Sequence, residues 1–127
     1  MKSGNELLKR SLALMGETLS EDNTSLKERA VELINLILSE LYELELALQG
    51  ISTQVNDEIP QIESLSDKVF FKEPILYTLI PLGLAGYLLS EEEPERSSFY
   101  LQLYHTEREL LRSRCRRSRR HKIKRSF

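Results

Sequence analysis

The sequence predicts an all-α protein: a small helical bundle of about four helices with a long, partly extended loop and a basic C-terminal helical arm. Three observations lead to this prediction. Apolar residues recur three or four positions apart over long stretches. Prolines, glycines and capping residues divide those stretches into helix-length segments. Positive charge is concentrated in the last twenty positions, after the last apolar segment.

The first helix is predicted at 5–16. Leu7, Leu8 and Leu12 share one side of it, and Gly16 suits the left-handed residue that commonly ends a helix. A polar link follows, and the second helix is predicted at 25–49.

The second helix has the clearest pattern in the chain. Ser25 and Glu28 form a capping box at its start, and one apolar stripe runs from Leu26 to Leu48. A second apolar set widens this surface beyond what one neighbouring helix would cover, so the helix is either central to the bundle or also faces another subunit. The candidates for a subunit interface are Ile34, Leu38, Tyr42 and Leu46.

Residues 51–72 lose the helical period and contain Pro60, which predicts an irregular or short-stranded loop. Loops of this length in small domains are usually functional or involved in assembly. The third helix is predicted at 74–90, where Pro81 should kink it. Gly83 and Gly86 should leave a groove for close approach of another helix.

The fourth helix is predicted at 95–118. From Phe99 onward, an amphipathic face runs directly into the basic tail, and it is marked by Tyr100, Leu103, Tyr104, Leu110 and Leu111. Because so many like charges repel, we expect the tail to become an ordered helix only on assembly. The predicted core consists of Leu33, Ile37, Leu41, Leu79, Leu84, Leu88 and Leu103.

Charge divides the chain into a helical body, 1–107, and a basic arm, 108–127. The arm carries ten Lys or Arg and one acid, a net charge of +9, whereas the body carries eight Lys or Arg and nineteen acids, a net charge of −11. Arginine dominates the arm, and its guanidinium suits bidentate pairing with phosphate or carboxylate. The candidate contacts to an acidic partner are Arg108, Arg112, Arg114, Arg116, Arg117, Arg119, Arg120, Lys122, Lys124 and Arg125.

Nothing in the sequence predicts an enzyme, a cofactor or a metal site. The two histidines, His105 and His121, lack other ligands at metal-binding spacing. Carboxylate pairs such as Glu43 and Glu45 are interpreted as solvated faces. The apolar stretch 75–89 would be about 22 Å long as a helix, which is short of a bilayer core of about 30 Å. The single cysteine, Cys115, favours a reducing compartment.

The order of segments resembles the head-tail connector, or adaptor, proteins of tailed bacteriophages. The resemblance covers most of residues 4–112 and rests on LLKRSLALMGE, LINLILSELYELE and DEIPQIESLSD, and above all on LYTLIPLGLAGYLLSEEEPERSSFYLQLYHTEREL. The last of these carries the pattern L-x-P-L-G-L-A-x-x-L-L followed by acids and F-x-x-x-x-Y.

The resemblance implies a structural virion protein of the neck, located in the host cytoplasm during assembly. Subunits of such a family form a ring, usually twelve-fold, beneath the portal protein, extend the DNA channel, and hold the stopper or tail. Their C-terminal segment engages the portal, which corresponds to residues 108–127 here. Because this arm is richer in arginine than expected for the family, its partner could be portal acids, packaged DNA or both.

Two other functions remain open from the residues alone. A small nucleic-acid-binding protein would use the basic arm for phosphate contacts, without sequence-specific readout because base-reading elements are absent. A membrane-associated helper would use the apolar stretch 75–89. A steep salt dependence of DNA binding would favour the first of these, and a detergent requirement would favour the second.

Overall fold

The computed structural model describes residues 1–16, 24–50 and 58–125, with the side chains of Thr24 and residues 118–125 excepted. Within these ranges, four α-helices and one antiparallel strand pair make up the fold, which confirms the all-α prediction. The helices are α1 (Gly4–Met15), α2 (Thr24–Leu48), α3 (Ile80–Leu89) and α4 (Pro94–Arg125), and the strands are β1 (Lys2–Ser3) and β2 (Lys68–Val69). The predicted helix limits agree closely, except that the segment predicted as the third helix, 74–90, begins with a π-helical turn before α3, and that α4 continues past 118.

Helix α1 is capped at both ends by the residues that surround it. The Ser3 hydroxyl accepts a hydrogen bond from the Glu6 backbone N–H at 3.3 Å. Gly16 has a φ of 76° and donates its N–H to the carbonyls of Ala13 and Leu12. The predicted end of this helix at Gly16 is confirmed.

Pro81 disturbs the third helical segment through a π-helical turn rather than a simple kink. The turn spans Ile75–Leu79 and ends where the Ile80 N–H donates to the Ile75 carbonyl, five residues earlier. Pro81 follows directly, near the start of α3. A proline ring in an α-helix collides with the carbonyl four residues before it, and the wider π turn relieves that collision.

Helix α3 lies at the centre of the fold and contacts each of the other three α-helices. Its glycines allow α4 to approach. A Cβ placed on Gly83 would lie 2.9 Å from the Tyr104 ring, and one on Gly86 would lie 2.6 Å from Leu101. The predicted groove at these glycines is therefore occupied by α4, and Ser97 of that helix donates to the Gly86 carbonyl at 2.7 Å.

The first part of α4 also satisfies the C-terminal end of α1. Arg96 donates from Nη2 to the Met15 carbonyl at 2.7 Å, and the Tyr100 hydroxyl donates to the Leu14 carbonyl at 2.6 Å. The last carbonyls of a helix have no partner within it and carry partial negative charge. A cation and a hydroxyl at this position therefore stabilise both the helix end and the α1–α4 contact.

The predicted core is confirmed for most of its members but wrong for one. Ile37, Leu41, Leu79, Leu84 and Leu88 are buried, and Leu33 is partly buried. Leu103 is 38% exposed, and its neighbour Tyr104 is fully buried instead. Successive residues of a helix point about 100° apart, so the side of α4 that directs Tyr104 over Gly83 necessarily turns Leu103 outward.

The segment 58–72 is irregular apart from β2, in agreement with the predicted loop, while 51–57 and the polar link at 17–23 lie outside the described residues. Lys2 pairs with Val69 and Ser3 with Lys68. On the other side, the Asn35 amide donates to the Ile62 carbonyl at 2.9 Å and accepts from the Ile62 N–H at 2.8 Å. One side chain of α2 thus binds this segment as a strand partner would.

Candidate interaction surfaces

The basic arm is the continuation of α4 and not a separate element. This helix has 32 residues and leads from the core into the arginine-rich sequence without a break. Arg114, Arg116 and Arg117 are exposed. The side chains of the other candidates beyond position 117 lie outside the described residues, although the backbone is helical there; these are Arg119, Arg120, Lys122, Lys124 and Arg125.

The expectation that the tail becomes helical only on assembly is not what the structure of the single chain shows, since α4 reaches Arg125 without a partner. Two contacts explain its first part: Leu111 and Cys115, one turn apart, pack against the core cluster. Arginine is also among the better helix formers. Assembly therefore does not have to create the helix, although a partner can still dock on it.

The arm is joined to the body by a polar cluster around Glu40 of α2. The Glu40 carboxylate accepts hydrogen bonds from the Tyr87 hydroxyl at 2.8 and 3.0 Å and from the Tyr104 hydroxyl at 3.0 Å. Arg108 donates from Nη2 to the Glu40 backbone carbonyl at 2.8 Å. Because Tyr87 belongs to α3 and Tyr104 to α4, a single carboxylate holds three helices together.

Electrostatics in this cluster keep both phenols protonated. Burial, followed by the hydrogen bond to Glu40 and its negative charge, raises the pKa of Tyr87 to about 12, while the nearby Arg108 acts in the opposite direction. Burial and the same carboxylate raise the pKa of Tyr104 well above its ordinary value. The phenols therefore act as donors to Glu40 at neutral pH.

Arg108 has an internal role that the sequence prediction for the arm did not include. Its guanidinium donates a hydrogen bond to the Glu40 carbonyl of α2, and its Nε is buried without a hydrogen-bond partner among the described residues. Arg112 pairs with Glu109 on its own helix at 3.0 Å. Among the arm side chains that the structure describes, Arg114, Arg116 and Arg117 are the ones left fully available to a partner.

The four interface candidates of α2 divide into two groups. Ile34 and Leu38 are buried within the chain, so in this fold they contribute to the core and not to a surface. Segment 58–72 lies against this part of α2, where Asn35 binds Ile62 and Leu38 lies beside residues 60–62 and 68–71. Tyr42 and Leu46 remain partly exposed.

Tyr42 and Leu46 line an apolar cavity of about 260 Å³ between α2 and the segment 60–71. Phe70, which is 71% exposed, lies at its edge. An exposed aromatic beside a partly open apolar cavity is typical of protein-binding surfaces. The sequence predicted extra apolar surface on α2 but not that a loop residue would complete it.

Glu45 corrects the interpretation of the Glu43 and Glu45 pair as solvated. Glu43 is exposed, but Glu45 is only 1% exposed. Its carboxylate accepts a hydrogen bond from the Lys72 backbone N–H and another from the Gln49 side chain at 2.6 Å. A buried carboxylate requires such partners, and here they fix the segment that leads into the π-helical turn.

A second exposed apolar surface lies on the outer side of α4. It contains Phe99, Leu103 and Leu110, which are 58%, 38% and 45% exposed. The sequence prediction merged these residues with Tyr100, Tyr104 and Leu111 into one face. The structure separates them into an inner face, which packs on α1, α2 and α3, and an outer face without a covering element in the described chain.

The described residues contain no group of three or more His, Cys, Asp or Glu side chains that could hold a metal ion. His105 is exposed on α4, and Cys115 has a free thiol. Across the described ranges, no helix has both the length and the apolar character needed to cross a membrane. Comparisons with protein families, curated proteins and solved structures found no match to this chain.

Proposed function

We propose that this chain is a structural head-tail connector subunit of a tailed bacteriophage, a virion protein of the neck that links the portal to the stopper or tail. The observation that carries the proposal is the construction of α4. A single helix begins in the core, is fixed to α2 through Arg108 and Glu40, and extends into an arginine-rich arm. A charged helical projection on a folded base allows one subunit to contact a second, oppositely charged body.

Charge supports an acidic protein partner for the arm. Arg114, Arg116 and Arg117 are exposed within about one helical turn, and their guanidinium groups can form charge-assisted pairs with carboxylates. In a ring of identical subunits, usually twelve in the family that the sequence resembles, each weak contact is repeated, and repetition greatly increases the total affinity.

The apolar cavity beside Tyr42 and Leu46 supports the proposal that the subunits assemble into a ring. Tyr42, Leu46 and Phe70 form a partly open surface that a neighbouring subunit could cover. Contacts between subunits in a ring join two different surfaces of the same chain. This cavity would provide one of those two surfaces.

The test is binding of the purified chain to portal particles of the encoding phage. Replacing both Arg114 and Arg117 by Glu should abolish co-sedimentation with the particles, while far-UV circular dichroism stays unchanged. The matched control is the double replacement of Lys9 and Arg29 by Glu, which changes two exposed cations of the body by the same charge. Equal loss in both variants would show that net charge alone matters.

A nucleic-acid-binding function is the competing explanation, favoured by the same exposed arginines. The two functions are distinguished by measuring how the arm variant binds portal particles and how it binds duplex DNA. Retained binding to portal particles, together with lost DNA affinity and a steep salt dependence in the unmodified chain, would refute portal docking by the arm and assign the arm to DNA.

A further inference from the structure

The outer side of α4 carries a row of residues with symmetric spacing. From Phe99 the row continues to Leu103, Thr106 and Leu110, at intervals of four, three and four residues. We call these four residues the outer stripe. Intervals of three and four keep residues on one side of a helix and are typical of a helix that packs along another helix. All four side chains are exposed in the single chain.

Opposite charges flank the outer stripe at the same distance. Glu95 lies four residues before Phe99, and Arg114 lies four residues after Leu110. Further out, Glu92 lies in the turn before the helix and Arg117 lies within the arm. These four charged side chains are exposed, and none of them has an ion-pair partner among the described residues.

We propose that the outer stripe binds a second copy of this chain, with the two α4 helices antiparallel and related by a two-fold axis. The intervals read the same in both directions, so reversing one helix brings the two stripes into register. Phe99 then lies opposite Leu110 of the second copy, and Leu103 lies opposite Thr106. The contact is isologous, which closes at two subunits.

The charges favour the antiparallel arrangement and indicate that the partner of the outer stripe is a second copy of this chain. In this register Glu95 lies opposite Arg114 of the second copy, and Glu92 lies near Arg117. A parallel pair would instead place acids beside acids and arginines beside arginines. Antiparallel helix dipoles add to the preference. A second α4 helix therefore places a charge of the opposite sign near each of these four residues.

This inference does not depend on the proposed function. In a ring, all subunits point the same way along the axis, so the antiparallel pair cannot be a ring contact. It would be a form of the chain outside such an assembly, with each arm placed against the acidic turn of the other copy. Binding to portal particles and pairing in solution can therefore succeed or fail separately.

The first experiment measures the mass of the full-length chain by sedimentation equilibrium over a range of concentrations. The unmodified chain should form a dimer, and Leu110→Lys should weaken it by about a hundredfold or more, because the leucine is lost from both symmetric halves of the contact. The control is Leu36→Lys on α2, since Leu36 is 46% exposed, nearly the same as Leu110. A monomer at every concentration, or equal effects of both variants, would overturn the proposal.

The second experiment tests orientation. Glu95→Arg and Arg114→Glu should each raise the dimer dissociation constant by about tenfold, because two symmetric contacts change from attraction to repulsion. The double variant, Glu95→Arg with Arg114→Glu, should return to within a few-fold of the unmodified chain. If the double variant stays as weak as the single variants, the antiparallel register is wrong. Circular dichroism of each variant confirms that the monomer remains folded.

Discussion

Replacing Gly86 by alanine should destabilise the protein even though alanine is the better helix former. In an exposed helix, the change from glycine to alanine stabilises by about 1 kcal/mol. At Gly86 the new methyl group would lie 2.6 Å from both Cγ and Cδ2 of Leu101 and 3.3 Å from its backbone nitrogen. Cγ is close to the main chain and cannot simply swing away, so the α3–α4 contact must open.

Overpacking of this kind costs about 1–3 kcal/mol. When the gain in helix propensity is subtracted, the expected net loss is about 1 kcal/mol in the free energy of unfolding. The measurement is urea unfolding followed by far-UV circular dichroism. Because one added methyl group hardly changes the surface exposed on unfolding, the slope of the transition should not change.

A double-mutant cycle isolates the cause. Leu101→Ala removes Cγ and Cδ2, the two atoms nearest to the new methyl group, so Gly86→Ala in that background should be neutral or stabilising by up to about 1 kcal/mol. The coupling between the two sites should therefore be at least about 1 kcal/mol. If Gly86→Ala costs the same in both backgrounds, close approach of α4 is not the reason for the glycine.

Three further predictions concern the core, the α1 cap and the polar cluster. Ile37→Ala should cost about 2–5 kcal/mol in chemical denaturation, whereas Leu36→Ala, at an exposed neighbouring position, should cost well under 1 kcal/mol; similar losses would show that the wrong face of α2 is assigned to the core. Gly16→Ala should cost about 1–2 kcal/mol, because φ is 76°, and an unchanged midpoint would contradict the left-handed cap. The pKa of Tyr87 is raised from 10.0 to about 12, so its contact with Glu40 contributes fully below pH 10 and is lost as pH rises towards 12; the fall in stability over this interval should be smaller in Tyr87→Phe, and an identical pH profile would refute the contact.

The sequence was sufficient to predict the helices because their punctuation is local. Gly16, Pro74 and Pro94 mark limits that depend on the conformation of a few neighbouring residues. The effect of Pro81 could be predicted only in part. A proline inside an apolar helix predicts a disturbed helix, but whether the chain kinks or forms a π turn depends on how the helix packs.

The orientation of α4 could not be read from its period. Both Leu103 and Tyr104 are apolar enough for a core, and the sequence alone does not indicate which of them is buried. Tyr104 is buried because Gly83 leaves space for its ring and because Glu40 accepts a hydrogen bond from its hydroxyl. These are contacts between segments distant in sequence, and no local pattern encodes them.

Glu40 itself left a signal that sequence reasoning missed. It lies three residues after Ile37 and four before Leu44, within the apolar stripe of α2. An acid at such a position either breaks the stripe or has a buried partner. Two tyrosines on the following helices were available as donors. Glu45 gave no comparable signal, because its main partner is a backbone N–H at Lys72.

The hydrogen bond of Arg108 and the core contact of Cys115 attach α4 to the body of the protein. Cys115 is the last described residue of α4 that packs on the core, so the ten residues Arg116–Arg125 project about 15 Å beyond it. A tilt of about 10° at Cys115 would move the end of the helix at Arg125 by roughly 3 Å over that length. Conversely, a force on the helix end at Arg125 would be transmitted by Arg108 to the middle of α2 and through Glu40 to α3. The arm and the centre of the bundle are therefore mechanically coupled.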